Sequence, residues 1–427
     1  MMLLLRTATW LSLVLGCATH GAEVGDYKHL GVATCATGVC HGKLVAQKDV
    51  DVALNEYRIW SADDRHARAY SALAGARSKA IADKLGLASA QTAKICLDCH
   101  SDNVPADKRG AKFQISDGIA CEACHGGAER WIESHSDAST THADNIAKGL
   151  YPTENPERRA ALCLDCHMGD ADRLATHMIM GAGHPRLSFE VGAYTVNLPE
   201  HFTVDADYVR RKGAVDEFRI WLAGQLIGAR RLLALDASPW FDKSGAITPE
   251  LSLYDCQGCH HAMDDLRWSP KRAGGLKPGT LRLNDDHLSV LISVTGVLEP
   301  GERDALARMA GALLRAGQQN ANAVREASRA LTAWIDARKS AWLDRAYEHA
   351  TVAAVRKAIV KDAAEGELAD YGAAEQVYLA VDGLSQAIGD GERLHAKVDA
   401  LWKTVETDRA YRPDQFAGAA HALLEAL

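Results

Sequence analysis

The stretch Gly118-Ile119-Ala120-Cys121-Glu122-Ala123-Cys124-His125-Gly126 contains the pattern Cys-x-x-Cys-His, which recurs at Cys96/Cys99/His100, Cys163/Cys166/His167 and Cys256/Cys259/His260. Two thiols at this spacing can form thioethers to the two vinyl groups of one porphyrin while the next imidazole lies under the iron. This is the attachment signature of a c-type haem. At the Cys and His frequencies of the chain, about 0.01 such patterns would arise by chance, so four are not a coincidence. A zinc site would pool two Cys pairs, or one pair with His-x3-5-His, and has no use for a His after every second Cys.

Upstream, Cys35-Ala36-Thr37-Gly38-Val39-Cys40-His41 keeps the order of the ligands but places four residues between the cysteines. A flexible Ala/Thr/Gly loop can accommodate the longer spacing, and a fifth attachment site is expected here. The alternative is a disulfide or two free thiols. Of the 11 cysteines, ten fall into the five motifs and only Cys17 is left over. The expected cofactor is therefore haem c, in five copies, or four if the Cys35/Cys40 site carries none. The thioether residues would be Cys35, Cys40, Cys96, Cys99, Cys121, Cys124, Cys163, Cys166, Cys256 and Cys259, and the proximal iron ligands His41, His100, His125, His167 and His260.

Haem is attached covalently outside the cytoplasmic membrane in bacteria, and the N-terminus agrees with export. Arg6 precedes the apolar run Trp10-Leu11-Ser12-Leu13-Val14-Leu15 and small residues follow, as in a secretory signal peptide. Cleavage after Ala22 makes residues 1–22 the signal. The alternative is a lipoprotein box, Val14-Leu15-Gly16-Cys17, in which case an acylated Cys17 would tether the protein to a membrane. The expected location is the periplasm. A net charge of −8 and a pI near 6.1 do not favour nucleic-acid binding, so the expected partners are redox proteins, periplasmic or membrane-bound.

The haem motifs lie between Cys35 and His260, and from residue 296 onward there is no cysteine. The expected fold is mainly α: an irregular multihaem cytochrome c domain over residues 23–295 and a C-terminal helical bundle over 296–427. Tyr208 to Leu235 reads as one longer helix. In the tail, successive apolar stripes fall at Leu306/Met309/Leu313, Val324/Leu331/Ile335/Trp342, Val377/Val381/Leu384/Ile388 and Leu394/Val398/Leu401/Val405. Pro413 is read as ending that stretch. The tail is expected to be a structural or docking unit whose removal spares the haems.

What fills the sixth position of each iron decides between electron transfer and chemistry on a substrate. Nine further histidines are available for five positions: His29, His66, His135, His142, His177, His184, His201, His261 and His287. The surplus favours bis-histidine irons. His66, His135, His184 and His201 are the leading candidates, His184 because Gly181-Ala182-Gly183 before it permits close approach to a porphyrin; Met178 and Met180 compete with them. No catalytic residue is required.

The chain resembles the multihaem cytochromes c of the cytochrome c-554 type over roughly residues 30 to 205. The resemblance rests on Cys35 to His41 followed by Glu56-Tyr57-Arg58-Ile59-Trp60 and His66-Ala67, on Gly118 to Gly126 followed by Trp131 and His135, and on Cys163 to His167. It implies haems stacked in close pairs that pass electrons between periplasmic enzymes and membrane or terminal partners, and it implies that His66 is a haem ligand. The expected function is a periplasmic electron carrier. The alternative is a multihaem oxidoreductase acting on a small nitrogen or sulfur compound at one open haem, for which the stretched first motif is the natural site.

Overall fold

A computed structural model describes residues 24–47, 53–242, 249–261 and 275–427. The segment 1–22 read as a signal peptide, Cys17 and most of the Gly/Pro loop after the last motif lie outside these residues. The protein is mainly α, and among the described residues β structure is confined to the isolated bridges His29 with Arg109 and Tyr254 with Leu283.

The first half consists of short helices joined by long connections. Helices α1 (Glu56–Asp63), α2 (Lys94–His100), α3 (Cys121–His125), α4 (Pro156–His167) and α5 (His177–Ala182) carry or flank the motifs. The regular motifs in α2, α3 and α4 each occupy the last turn of their helix, ending on the histidine. Local chemistry fixes these ends. The Asn155 side chain accepts from the Arg158 amide at 3.0 Å with Pro156 at the first helical position, and the Thr176 hydroxyl accepts from Ile179 at 3.3 Å to start α5.

The second half is a stack of longer helices: α6 (Val191–Val196), α7 (Glu217–Asp236), α8 (Asp286–Leu298), α9 (Arg303–Ala316), α10 (Ala321–Asp344), α11 (His349–Ala364), α12 (Tyr371–Ile388), α13 (Gly391–Val405) and α14 (Pro413–Leu424). Helix α7 is apolar around most of its circumference and accordingly lies inside, with Leu222, Leu226 and Leu233 fully buried. It packs on α4 of the haem-bearing half and on α8, α10 and α12 of the other.

Three details depart from the sequence expectations. The helix read over Tyr208 to Leu235 is two, Ala206–Lys212 and α7, because Gly213 takes a φ of 87° and Asp216 then caps a new start. The short final segment after the fourth stripe is itself a helix, and Pro413 is part of it, occupying the first position of α14, where its missing N–H costs nothing. Helix α11 was not expected. Its stripe of Val352, Val355, Ile359 and Val360 is interrupted by alanines.

Positions 295 and 296 both lie within α8, which contacts α7 on one side and α9, α11 and α12 on the other. One continuous apolar core runs from Ala160 and Leu164 through α7 and α8 to Leu423. The end of the cysteine-bearing stretch is thus not a gap in packing, and the expectation that the tail can be removed without consequence does not fit this core.

Candidate haem-binding site

In the described residues the histidine of every motif stands opposite a second histidine ring. Ring centroids are 6.1 Å apart for His41 with His135, 6.1 Å for His66 with His167, 6.2 Å for His100 with His184, 6.2 Å for His125 with His201 and 6.1 Å for His177 with His260. Two imidazoles bonded to one metal at about 2.0–2.1 Å, each with its ring centre about 1.1 Å beyond the ligating nitrogen, would have centroids about 6.3 Å apart. Directly stacked rings would be closer, as His167 and Phe189 are at 4.1 Å. The spacing therefore fits a metal between the rings.

Hydrogen bonds orient several of these rings. The Nδ1 atoms of His41 and His66 face Glu56 Oε2 and Asp64 Oδ1, each at 2.9 Å. Those of His100, His135 and His184 face the carbonyls of Ala69, Ile132 and Pro185 at 3.0, 2.6 and 2.8 Å. In each of the five rings Nε2 is left for a metal, the usual division of labour in a ligating histidine. Burial pushes His125 down to about 3 and His167 down to about 4, so both rings are neutral near pH 7, the form that ligates. The hydrogen bonds to Glu56 and Asp64 raise His41 and His66 instead.

The stretched motif has a simple local explanation. The amide of His41 donates to the carbonyl of Cys35 at 3.0 Å, just as His260 donates to Cys256 at 2.8 Å in a regular motif. The extra residues are looped out by a turn in which Cys40 and Gly42 both donate to the carbonyl of Thr37 at 3.0 Å. A side chain at Gly42 would meet the carbonyl oxygen of Ala36 at 2.0 Å, so only glycine closes this loop. The insertion leaves the histidine in the same register to the first cysteine.

None of the ten motif cysteines forms a disulfide among the described residues. The short helix Val32–Cys35 packs on α3, and α2 packs on α4, which brings the first motif beside the third and the second beside the fourth. Cys256 lines a cavity that also reaches His167 and Met180 and is closed by Arg186, Tyr371 and Glu375, the last two from α12. Arg186 pairs with Glu375 and lies 5.0 Å from the Tyr371 ring, while Gln257 of the fifth motif donates to the Asp408 carbonyl at 2.9 Å. The C-terminal helices are part of the wall around the fifth motif.

His66, His135, His184 and His201 each take part in a pair, and His177, which sequence reasoning left below them, takes the fifth. Its signal was slight: a histidine directly after a Thr cap, opening a short helix. Met178 on the same turn is exposed. His29, His142 and His287 stand outside the pairs. His29 uses both ring nitrogens, on Asp102 at 2.6 Å and the Val24 carbonyl at 3.0 Å; His142 bonds Glu154 at 2.8 Å; and His287 bonds Gln225 at 2.8 Å inside the helical core.

Cysteine pairs next to paired imidazoles would suit the attachment of c-type haems. Residues 34–126 match the family described as cytochrome c554 and c-prime, and over that segment the chain is similar to the cytochrome c-554 type. The match begins just before the stretched motif and ends just after the third. No curated protein and no solved structure matches the chain.

Proposed function

We propose that the protein is a periplasmic electron carrier holding five haems c, each bis-histidine, that passes electrons between redox proteins. The observation that carries this reading is the set of five histidine pairs at 6.1–6.2 Å, one for every motif histidine. The bound haems would supply one-electron Fe(III)/Fe(II) chemistry. The chain's part is to hold each iron from both sides, to keep its coordination unchanged between oxidation states and to set distance and potential through buried walls and hydrogen bonds to the ligands. His41/His135, His100/His184, His125/His201, His167/His66 and His260/His177 would be the axial pairs. A haem held by two histidines in this way would supply electron transfer and would leave no site for nitrite, hydroxylamine or sulfite.

Intact-mass measurement of the mature protein should give five haem additions, and replacing Cys35 and Cys40 together by Ser should remove one. Four additions in the wild type would sink the stretched site. The ring planes supply a second expectation, since three pairs cross at 85–88° while His41/His135 and His177/His260 lie at 21° and 36°. Ligand-plane orientation alters the iron d-orbital splitting, so low-spin EPR should resolve two groups of signals in a ratio of three to two. A single homogeneous signal would contradict these orientations. Assays with small nitrogen and sulfur compounds should show no turnover beside rapid reoxidation by a small cytochrome; rates on the order of 1–10³ per second would favour an enzyme.

A further inference from the structure

Two of the five histidine pairs have a carboxylate behind one of their rings. Glu56 Oε2 faces His41 Nδ1 at 2.9 Å and is pinned there because its other oxygen accepts from the Leu54 amide at 3.1 Å. Asp64 Oδ1 faces His66 Nδ1 at 2.9 Å and also accepts from the His66 amide at 2.9 Å. In contrast, His100 and His184 have only backbone carbonyls behind them, and no carboxylate hydrogen-bonds His125 or His201 among the described residues. Helix packing puts the first motif beside the third and the second beside the fourth. Each neighbouring couple therefore contains one pair with a carboxylate and one without.

We propose that Glu56 and Asp64 are positioning residues that make each couple of haems electrically asymmetric. They hold the irons of His41/His135 and His66/His167 oxidised at potentials where those of His125/His201 and His100/His184 are already reduced. A carboxylate accepting the outer N–H of an axial imidazole makes that ring a more basic ligand and adds a nearby negative charge, and both effects favour Fe(III) over Fe(II). Within a couple a single electron is exchanged, one iron being oxidised as the other is reduced, with no net proton; the carboxylates set which iron holds it. Arg173 does not undo the asymmetry. It faces the thiols of both Cys99 and Cys166 and is paired with Asp165 at 3.3 Å and Asp170 at 3.0 Å.

This inference rests on the five-haem reading, and its test separates the two. Spectroelectrochemical titration of full-length holoprotein is compared for wild type, Glu56→Gln and Asp64→Asn, with haem content by mass and spin state by EPR on each sample. Each neutral variant should make one haem about tenfold easier to reduce, which is about 59 mV for a one-electron couple. Glu56→Gln should leave the other four unmoved, Asp64→Asn should move the His125/His201 haem less than its own because Asp64 also lies within electrostatic reach of His201, and Glu56→Asp and Asp64→Glu should restore most of the shift. Unchanged titrations with five low-spin haems overturn the proposal. Should a neutral variant fail to load its haems, the wild type decides: at least two haems must reduce tenfold later than two others, and five haems within one decade overturn the asymmetry. A wild type with fewer than five haems would overturn the parent reading instead.

Discussion

Ending the chain after residue 295 is expected to abolish soluble, fully haem-loaded protein. The cut falls in α8 and strips its neighbours α9, α11 and α12, uncovering the apolar positions Leu288, Val290, Leu291 and Val294 together with the side of α7 that packs on α10 and α12. At about 1.5–3 kcal/mol per apolar side chain, half a dozen such exposures equal the whole net stability of an ordinary domain, about 5–15 kcal/mol. The fifth motif should suffer first, since Tyr371 and Glu375 close its cavity and Asp408 anchors Gln257. Expression of residues 1–295 with haem quantified by mass is the check. A soluble product with five haems would show that the helical tail is dispensable.

The second large effect is expected at His177. Replacing it by Ala should leave one iron of five without its sixth ligand, convert that haem to high spin and allow it to bind cyanide or carbon monoxide, while the other four remain low-spin. His261, directly after the proximal ligand, cannot easily reach the other side of the same iron, and its ring is not the one opposite His260. His261→Ala should therefore keep the wild-type spectrum. If it produces the high-spin haem and His177→Ala does not, the fifth pair is misassigned.

The proximal half of each site was legible in the sequence because covalent attachment needs two thiols and an imidazole within a few contiguous residues. The distal half was legible only as a surplus of histidines. His66 stands opposite His167 and His177 opposite His260, and no local spacing encodes contacts between such distant segments. His29 illustrates the difficulty from the other side: it is fully buried near the motifs, yet Asp102 and the Val24 carbonyl occupy its ring nitrogens. The carboxylates behind His41 and His66 carry no motif of their own.

Helix periodicity made α9, α10, α12 and α13 readable, because each presents a stripe of large apolar residues. It passed over α11, where alanines fill the gaps and the charged Arg356 and Asp362 are buried among the valines. The loss of cysteine after residue 260 is a change of chemistry that coincides with no change of packing, since the core formed by α7 and α8 runs across it. A porphyrin-binding segment and a helical stack can thus differ in composition and still share one interior.

Spin quantification of the holoprotein as isolated, by low-temperature EPR alongside haem content by mass, tests the central claim most directly. Five covalent haems with every iron low-spin and none binding added cyanide are expected from the five histidine pairs. One stoichiometric high-spin haem would contradict the pairing and restore the oxidoreductase reading.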